Sequence, residues 1–390
     1  MKKIITIKKI SFWCFIVILF CNILIFSCKK EEVITEIPLQ NIPYKLEIPS
    51  FFPTTLNIPE DNPLTVEGIK LGRYLFYDGR LRGYLGTNTD SLMSCGTCHL
   101  QENAFECGVN HQKYTNGFPY GVTGIRTPHV MLPLQNIVFN NEGYFWNGLI
   151  HNSNPNPVRR KLEDIVAMGI IAPHEMNSTV ERSVEAIASI SIYPPMFKAA
   201  FGTSEITIDR ISKAISQFIR TLVSGNSKFD RYLKGIEQLT DSELSGYILF
   251  TTEEGADCFH CHGGGGNVLF TTNQYYNNGK DTVFNDLRDR FAVTGNSLDK
   301  GSYRAPSLRN IEKTAPYMHD GRFVTLDQVI DFYSNGLVQS PNVSSLMHKI
   351  NQGGALLTPS EKADLKAFLL TLTDIEFLTN PMFSKPNDLP

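Results

Sequence analysis

The chain is short of charge, of spare cysteine and of tryptophan, and each shortage excludes something. Charged residues make up 19% of its 390 residues against 42% hydrophobic, the balance of an ordinary globular protein rather than a disordered chain or a multi-span membrane protein. Basic clusters are missing. The first 27 residues hold four lysines and no acid, so the remainder carries 32 basic and 39 acidic side chains, a net −7. Such a body lacks the footprint of nucleic-acid binding and suits docking of a basic redox protein. No short-period repeat is present, which excludes a solenoid. Strand signals are few and short, so the fold is expected to be mainly α, with long loops. Five cysteines follow Cys28 and four of them belong to two motifs. The fifth, Cys107, has no partner left for a disulfide, and packing as a small buried residue is its expected role. Trp146 is the only tryptophan outside the N-terminal apolar stretch.

What is there is more specific. Cys95-Gly96-Thr97-Cys98-His99 and Cys258-Phe259-His260-Cys261-His262 both read Cys-x-x-Cys-His, the attachment signature of c-type haem. Cys95 with Cys98, and Cys258 with Cys261, supply thioethers; His99 and His262 then meet the iron. A zinc site built from the four thiolates suits tetrahedral geometry but leaves both histidines unexplained. Two covalent haems account for all six residues.

The N-terminus resembles an export signal. Lys2, Lys3, Lys8 and Lys9 precede an apolar stretch from Ile10 to Phe26, the charge-then-apolar order of such a segment. Ser27-Cys28 closes it like a bacterial lipoprotein signal. Residues 1–27 are thus expected to be removed and Cys28 to carry a lipid, holding a periplasm-facing body to the membrane; an uncleaved anchor is the alternative. Residues 28–55 read as a tether. The chain is long enough for two domains, expected at 56–223 and 224–390. Each has a helical stretch before its motif: Leu71-Gly72-Arg73-Tyr74-Leu75-Phe76 in one, Gly246-Tyr247-Ile248-Leu249-Phe250 in the other. Thr240 with Glu243, Thr325 with Gln328 and Thr358 with Glu361 predict capping boxes, and apolar spacing predicts a helix over 208–222.

These stretches, with Arg220-Thr221-Leu222-Val223-Ser224-Gly225, Ala305-Pro306-Ser307-Leu308-Arg309-Asn310 and Thr314-Ala315-Pro316-Tyr317-Met318-His319-Asp320-Gly321, resemble the bacterial di-haem cytochrome c peroxidase family, including its MauG-like branch. The resemblance implies two cytochrome c-like haem domains. Hydrogen peroxide is reduced at the N-terminal haem, and electrons from a small c-type cytochrome enter through the C-terminal one. It places Tyr333 as second ligand of the C-terminal iron, where classical members have methionine and MauG-like members tyrosine; Met318 and Met347 are alternatives. Glu175 takes the role of distal acid/base and Trp146 that of the bridge between haems. Thr314 and Pro316 would offer backbone oxygens to a calcium ion, with Arg126 standing near the family's asparagine. Ile165 and Gly169 replace a distal glutamine and proline, and His111 falls in the loop that closes the first iron in classical members. Two other readings stay open: a MauG-like oxidase acting on a partner protein, and a di-haem electron carrier without enzymatic activity. The oligomeric state is left open as well.

Overall fold

Local sequence chemistry sets the helix boundaries. A computed structural model describes residues 41–84, 92–109, 114–115, 118–264 and 266–389. The export segment, Cys28 and His111 lie outside the described residues. In chain order the α-helices are α1 (Val66–Tyr77), α2 (Leu162–Ile171), α3 (Val180–Ser189), α4 (Tyr193–Phe201), α5 (Ile208–Arg220), α6 (Lys228–Leu233), α7 (Asp241–Thr251), α8 (Phe259–His262), α9 (Phe291–Thr294), α10 (Leu326–Asn335), α11 (Pro359–Leu370) and α12 (Ile375–Thr379). The boxes at Thr240, Thr325 and Thr358 all form, each satisfying amide donors that a helix start leaves open. Strands among the described residues are limited to two antiparallel pairs of two residues each: Tyr114–Thr115 with Phe118–Pro119, and Tyr275–Tyr276 with Tyr303–Arg304. The fold is mainly α, and long loops join the helices.

Two apolar cores organise it. In the first, α1 crosses α5, and Leu71, Phe76, Ile215 and Phe218 are essentially inaccessible. In the second, α7 crosses α11 around Phe250, Phe270 and Phe368. A smaller cluster of Phe52, Val138, Phe139, Val268 and Leu269 draws residues from both halves of the sequence. Phe52 comes from the lead-in segment, whose backbone also bonds to the body: the Tyr44 amide donates to Leu64 O (2.9 Å) and the Val66 amide to Ile42 O (2.9 Å).

Two buried arginines are each held by a buried acid. Arg220 donates to both Glu163 oxygens (2.6 and 3.1 Å), and Asn62 also donates to that carboxylate (2.7 Å). Arg309 donates to both Asp230 oxygens (2.8 and 2.7 Å). The guanidinium holds each carboxyl below its ordinary range despite burial, because a bidentate partner offsets lost hydration.

Candidate functional site

Cys95–Thr97 forms a single 3-10 turn capped by Ser94 and Thr97. That turn brings His99 back under the motif, its amide donating to Cys95 O at 2.9 Å. His99 Nδ1 lies 2.6 Å from Phe105 O. In the second motif the Cys258–His262 turn is α-helical, and His262 Nδ1 lies 3.0 Å from Pro306 O. A ring nitrogen facing a carbonyl must carry the proton, so Nε2 is the lone-pair donor in both residues. Burial holds both imidazoles neutral, lowering each to about 4.

Glu175 faces the first motif. It follows α2 in a turn where its amide donates to Ala172 O (3.0 Å), and its carbonyl accepts from the Val122 amide (3.1 Å). Its side chain keeps 44% of its surface accessible, yet burial raises its carboxyl to about 7. The Cys95 thiol is close enough to feel it: burial pushes that thiol up to about 12, and the Glu175 carboxylate adds to the shift. Gly169, in the last turn of α2, leaves room for the acid, since a Cβ there would fall 2.6 Å from Glu175 Oε2. Ile165 is partly buried against the first core.

Tyr333 faces the second motif from α10. Its hydroxyl accepts from Asn278 Nδ2 (3.0 Å), and the same amide nitrogen lies 3.7 Å from Met318 Sδ. Two of the three candidate second ligands therefore converge on Asn278. Met347 sits in a separate turn, its amide donating to Ser344 O (3.0 Å). Burial, with smaller contributions from the Cys261 and Cys258 thiols, pushes the Tyr333 phenol well above its ordinary range.

Trp146 is buried in a tight loop. Its indole Nε1 donates to Val130 O (2.9 Å), and its carbonyl accepts from the Arg304 amide (2.8 Å). The indole ring lies 6.3 Å from that of His319. His319 in turn stacks on Tyr303 at 3.5 Å and 11°. Tyr303 Oη donates to Asp286 Oδ2 (2.8 Å), which also lies 2.5 Å from His129 Nε2.

Sequence reasoning assigned no role to His129, Tyr303 or Asp286, because four distant segments meet there and none carries a motif for it. It also passed over Glu106 and His174. Glu106 is 1% exposed, is raised to about 8 by burial, and has one oxygen, Oε1, without a hydrogen-bond partner. His174 Nε2 lies 3.7 Å from Glu175 Oε1. Cys107 is fully buried.

The donor set fits two c-type haems. Each motif presents two cysteines outside any disulfide and one neutral imidazole, with Glu175 close to the first motif and Tyr333 close to the second. The fit to calcium is poorer: two backbone oxygens at Thr314 and Pro316 fall well short of the roughly six to eight that calcium takes, and Arg126, near the remaining family position, is an exposed cation.

Residues 66–238 match the family model for di-haem cytochrome c peroxidase. The chain is 32% identical over 325 residues to the methylamine utilization protein MauG of Methylorubrum extorquens, covering 82% of each protein. It is 33% identical over 315 residues to cytochrome c551 peroxidase of Nitrosomonas europaea, covering 80% of this chain and 81% of that one. A solved MauG-like protein associated with microbial copper homeostasis superposes with a TM-score of 0.74 at 34% identity, covering 88% of this chain and 99% of that one. With two attachment motifs, a mainly helical fold and relatives spanning four-fifths of its length, this chain is an oxidoreductase of the di-haem cytochrome c peroxidase and MauG family.

Proposed function

We propose that the protein reduces hydrogen peroxide to water, with 56–223 as the peroxidatic domain and 224–390 as the domain through which a small c-type cytochrome delivers electrons. The reaction consumes one peroxide, two electrons and two protons and gives two waters. When bound, the haems supply the redox-active iron for O–O cleavage and a second centre for the remaining oxidising equivalent. His99 and His262 would each hold one iron through Nε2, and Tyr333 would be the second protein ligand to the iron that His262 holds. Glu175, at about 7, is half-protonated near neutral pH and can both accept peroxide's proton and return it to the departing oxygen. His174, beside it, is partly exposed and gives that proton a way to solvent. Trp146 lies between the domains as the electron bridge. Export and a lipid on Cys28 complete the proposal; calcium forms no part of it.

The Glu175 carboxyl beside the first motif carries this reading. Its test is rapid mixing of haem-loaded, oxidised protein with equimolar peroxide, then with ferrocytochrome c. The wild type should show a fast Soret change that the cytochrome reverses. Glu175→Gln should slow the first phase about 10²–10⁴-fold at unchanged haem content; a wild-type rate in that variant overturns the assignment.

A second reading is favoured by Tyr333. A phenolate is harder than a thioether and stabilises oxidised iron, which suits withdrawal of electrons from the side chains of a partner protein. Peroxide-oxidised protein that a partner polypeptide reduces, and ferrocytochrome c does not, would select it.

A further inference from the structure

Outside the two haem sites, two histidines and two acids meet on the surface beside the second motif. His260 occupies an interior position of Cys-x-x-Cys-His, which haem attachment does not specify. His348 arrives from a loop 88 residues later, tied down where Lys349 Nζ donates to Glu254 O (2.9 Å). The two imidazoles lie 4.8 Å apart at 85°. Asp257 sits between them with φ +58°, a left-handed conformation that Asp tolerates better than most residues. Its side chain is only 7% accessible, with Oδ1 2.6 Å from His260 Nδ1 and Oδ2 3.2 Å from His348 Nδ1.

One buried carboxylate thus fixes the same tautomer in two rings and leaves Nε2 of each as the lone-pair donor. His260 Nε2 lies 3.6 Å from Glu253 Oε1. Glu253, His260 and His348 can each offer an atom within 4.8 Å of the others. A carboxylate behind a histidine, holding its other nitrogen, is the usual support of a metal-binding imidazole. Here a single Asp supplies that support twice. Two imidazoles and one carboxylate suit a borderline divalent ion such as copper or zinc, whereas calcium and magnesium prefer all-oxygen sites. Glu253 is 61% exposed, so an ion has a route in.

We propose that Glu253, His260 and His348 bind one divalent first-row metal ion, Cu(II) or Zn(II), with Asp257 as the residue that positions both imidazoles. The site is independent of the peroxide chemistry proposed above.

The test uses haem-loaded protein cleared of loosely bound metal with a chelator, titrated separately with Cu(II) and Zn(II) by calorimetry. The wild type should bind one equivalent of at least one of them, and competition between the two identifies the preferred ion. Bound Cu(II) should show superhyperfine structure from two nitrogens in its electron paramagnetic resonance spectrum. His348→Gln lies outside the attachment motif. It should keep two haems per chain and lower the affinity at least tenfold. Asp257→Asn should weaken binding about 10–100-fold, and Glu253→Gln, at an exposed position, provides a variant with no folding burden. Absence of saturable binding, or unchanged affinity in both His348→Gln and Glu253→Gln, overturns the site.

Discussion

Glu106 shows how far one buried carboxyl can bias the stability of this fold. Burial raises it to about 8 from an ordinary value near 4.5; the amide of Gly108 donates to Oε2 (2.6 Å) while Oε1 has no partner. Between those two pH values the folded state holds a proton that the unfolded chain has released. Stability therefore falls as pH rises through that window, and the loss is complete above about pH 8. Glu106→Gln keeps the shape and removes the titration. Its unfolding free energy should vary less between pH 5 and 9 than that of the wild type, and the variant should be the more stable at pH 9, by on the order of a few kcal/mol. Denaturant unfolding at the two pH values measures this, and parallel pH profiles would refute it. No sequence pattern announces Glu106, because its character comes entirely from what packs around it. His99 and His262 are the opposite case. Their place is fixed by the cysteines one and four positions before them, so the attachment motifs are fully legible while the groups that face them are not.

At the scale of elements, the repeated stretch before each motif has a packing explanation. Gly72 and Gly246 hold equivalent places in α1 and α7. A Cβ on Gly72 would fall 1.9 Å from Ala214 O of α5, and one on Gly246 would fall 1.9 Å from Asp364 O of α11. Both neighbours are backbone atoms, so neither can step aside. The two helix crossings are close because these positions have no side chain. Gly246→Ala gains up to about 1 kcal/mol in helix propensity, but it forces α7 and α11 apart at a cost of about 1–3 kcal/mol or more. The net effect should be a lower melting temperature for Gly246→Ala, and likewise for Gly72→Ala, in thermal unfolding followed by circular dichroism; a rise in either would show that the crossing can relax. The helices themselves were legible. Their caps are local, as Thr240 with Glu243 and Thr358 with Glu361 show, and the apolar spacing from Ile208 onward marks α5, which ends at Arg220 where Thr221 takes the cap. Which helix crosses which was not legible, since nothing near Gly246 in sequence names Asp364.

For the whole molecule, the segment after Asp374 returns to the first core. α12 and the residues after it lie on the first core, with Phe377 and Leu378 buried in it. The same segment satisfies donors on α1 and beside the first motif. Arg73 donates to Ser384 O (2.7 Å) and Pro381 O (2.6 Å), Tyr77 Oη to Phe383 O (2.6 Å), and Gln101 Nε2 to Asn380 O (2.8 Å). This closure spans some 300 residues and leaves no periodic trace, which is why the sequence suggests a divide near residue 223 and does not suggest the tail's place. The physical consequence is that the first motif depends on residues far along the chain. Ending the chain after Asp374 retains that residue's contacts to Ser224 and Asn226 (3.0 and 2.9 Å) but uncovers the first core. Losing Phe377 and Leu378 alone should cost about 1.5–3 kcal/mol each, a large share of the roughly 5–15 kcal/mol that holds a typical fold. The truncated protein should therefore melt well below the full chain. Its haem content, measured as the pyridine haemochrome, should fall from two per chain towards one, because Phe377 and Leu378 belong to the first core and the residues around the second motif pack in another. Two haems and an unchanged melting temperature would mean that the tail merely rests on a first core complete without it.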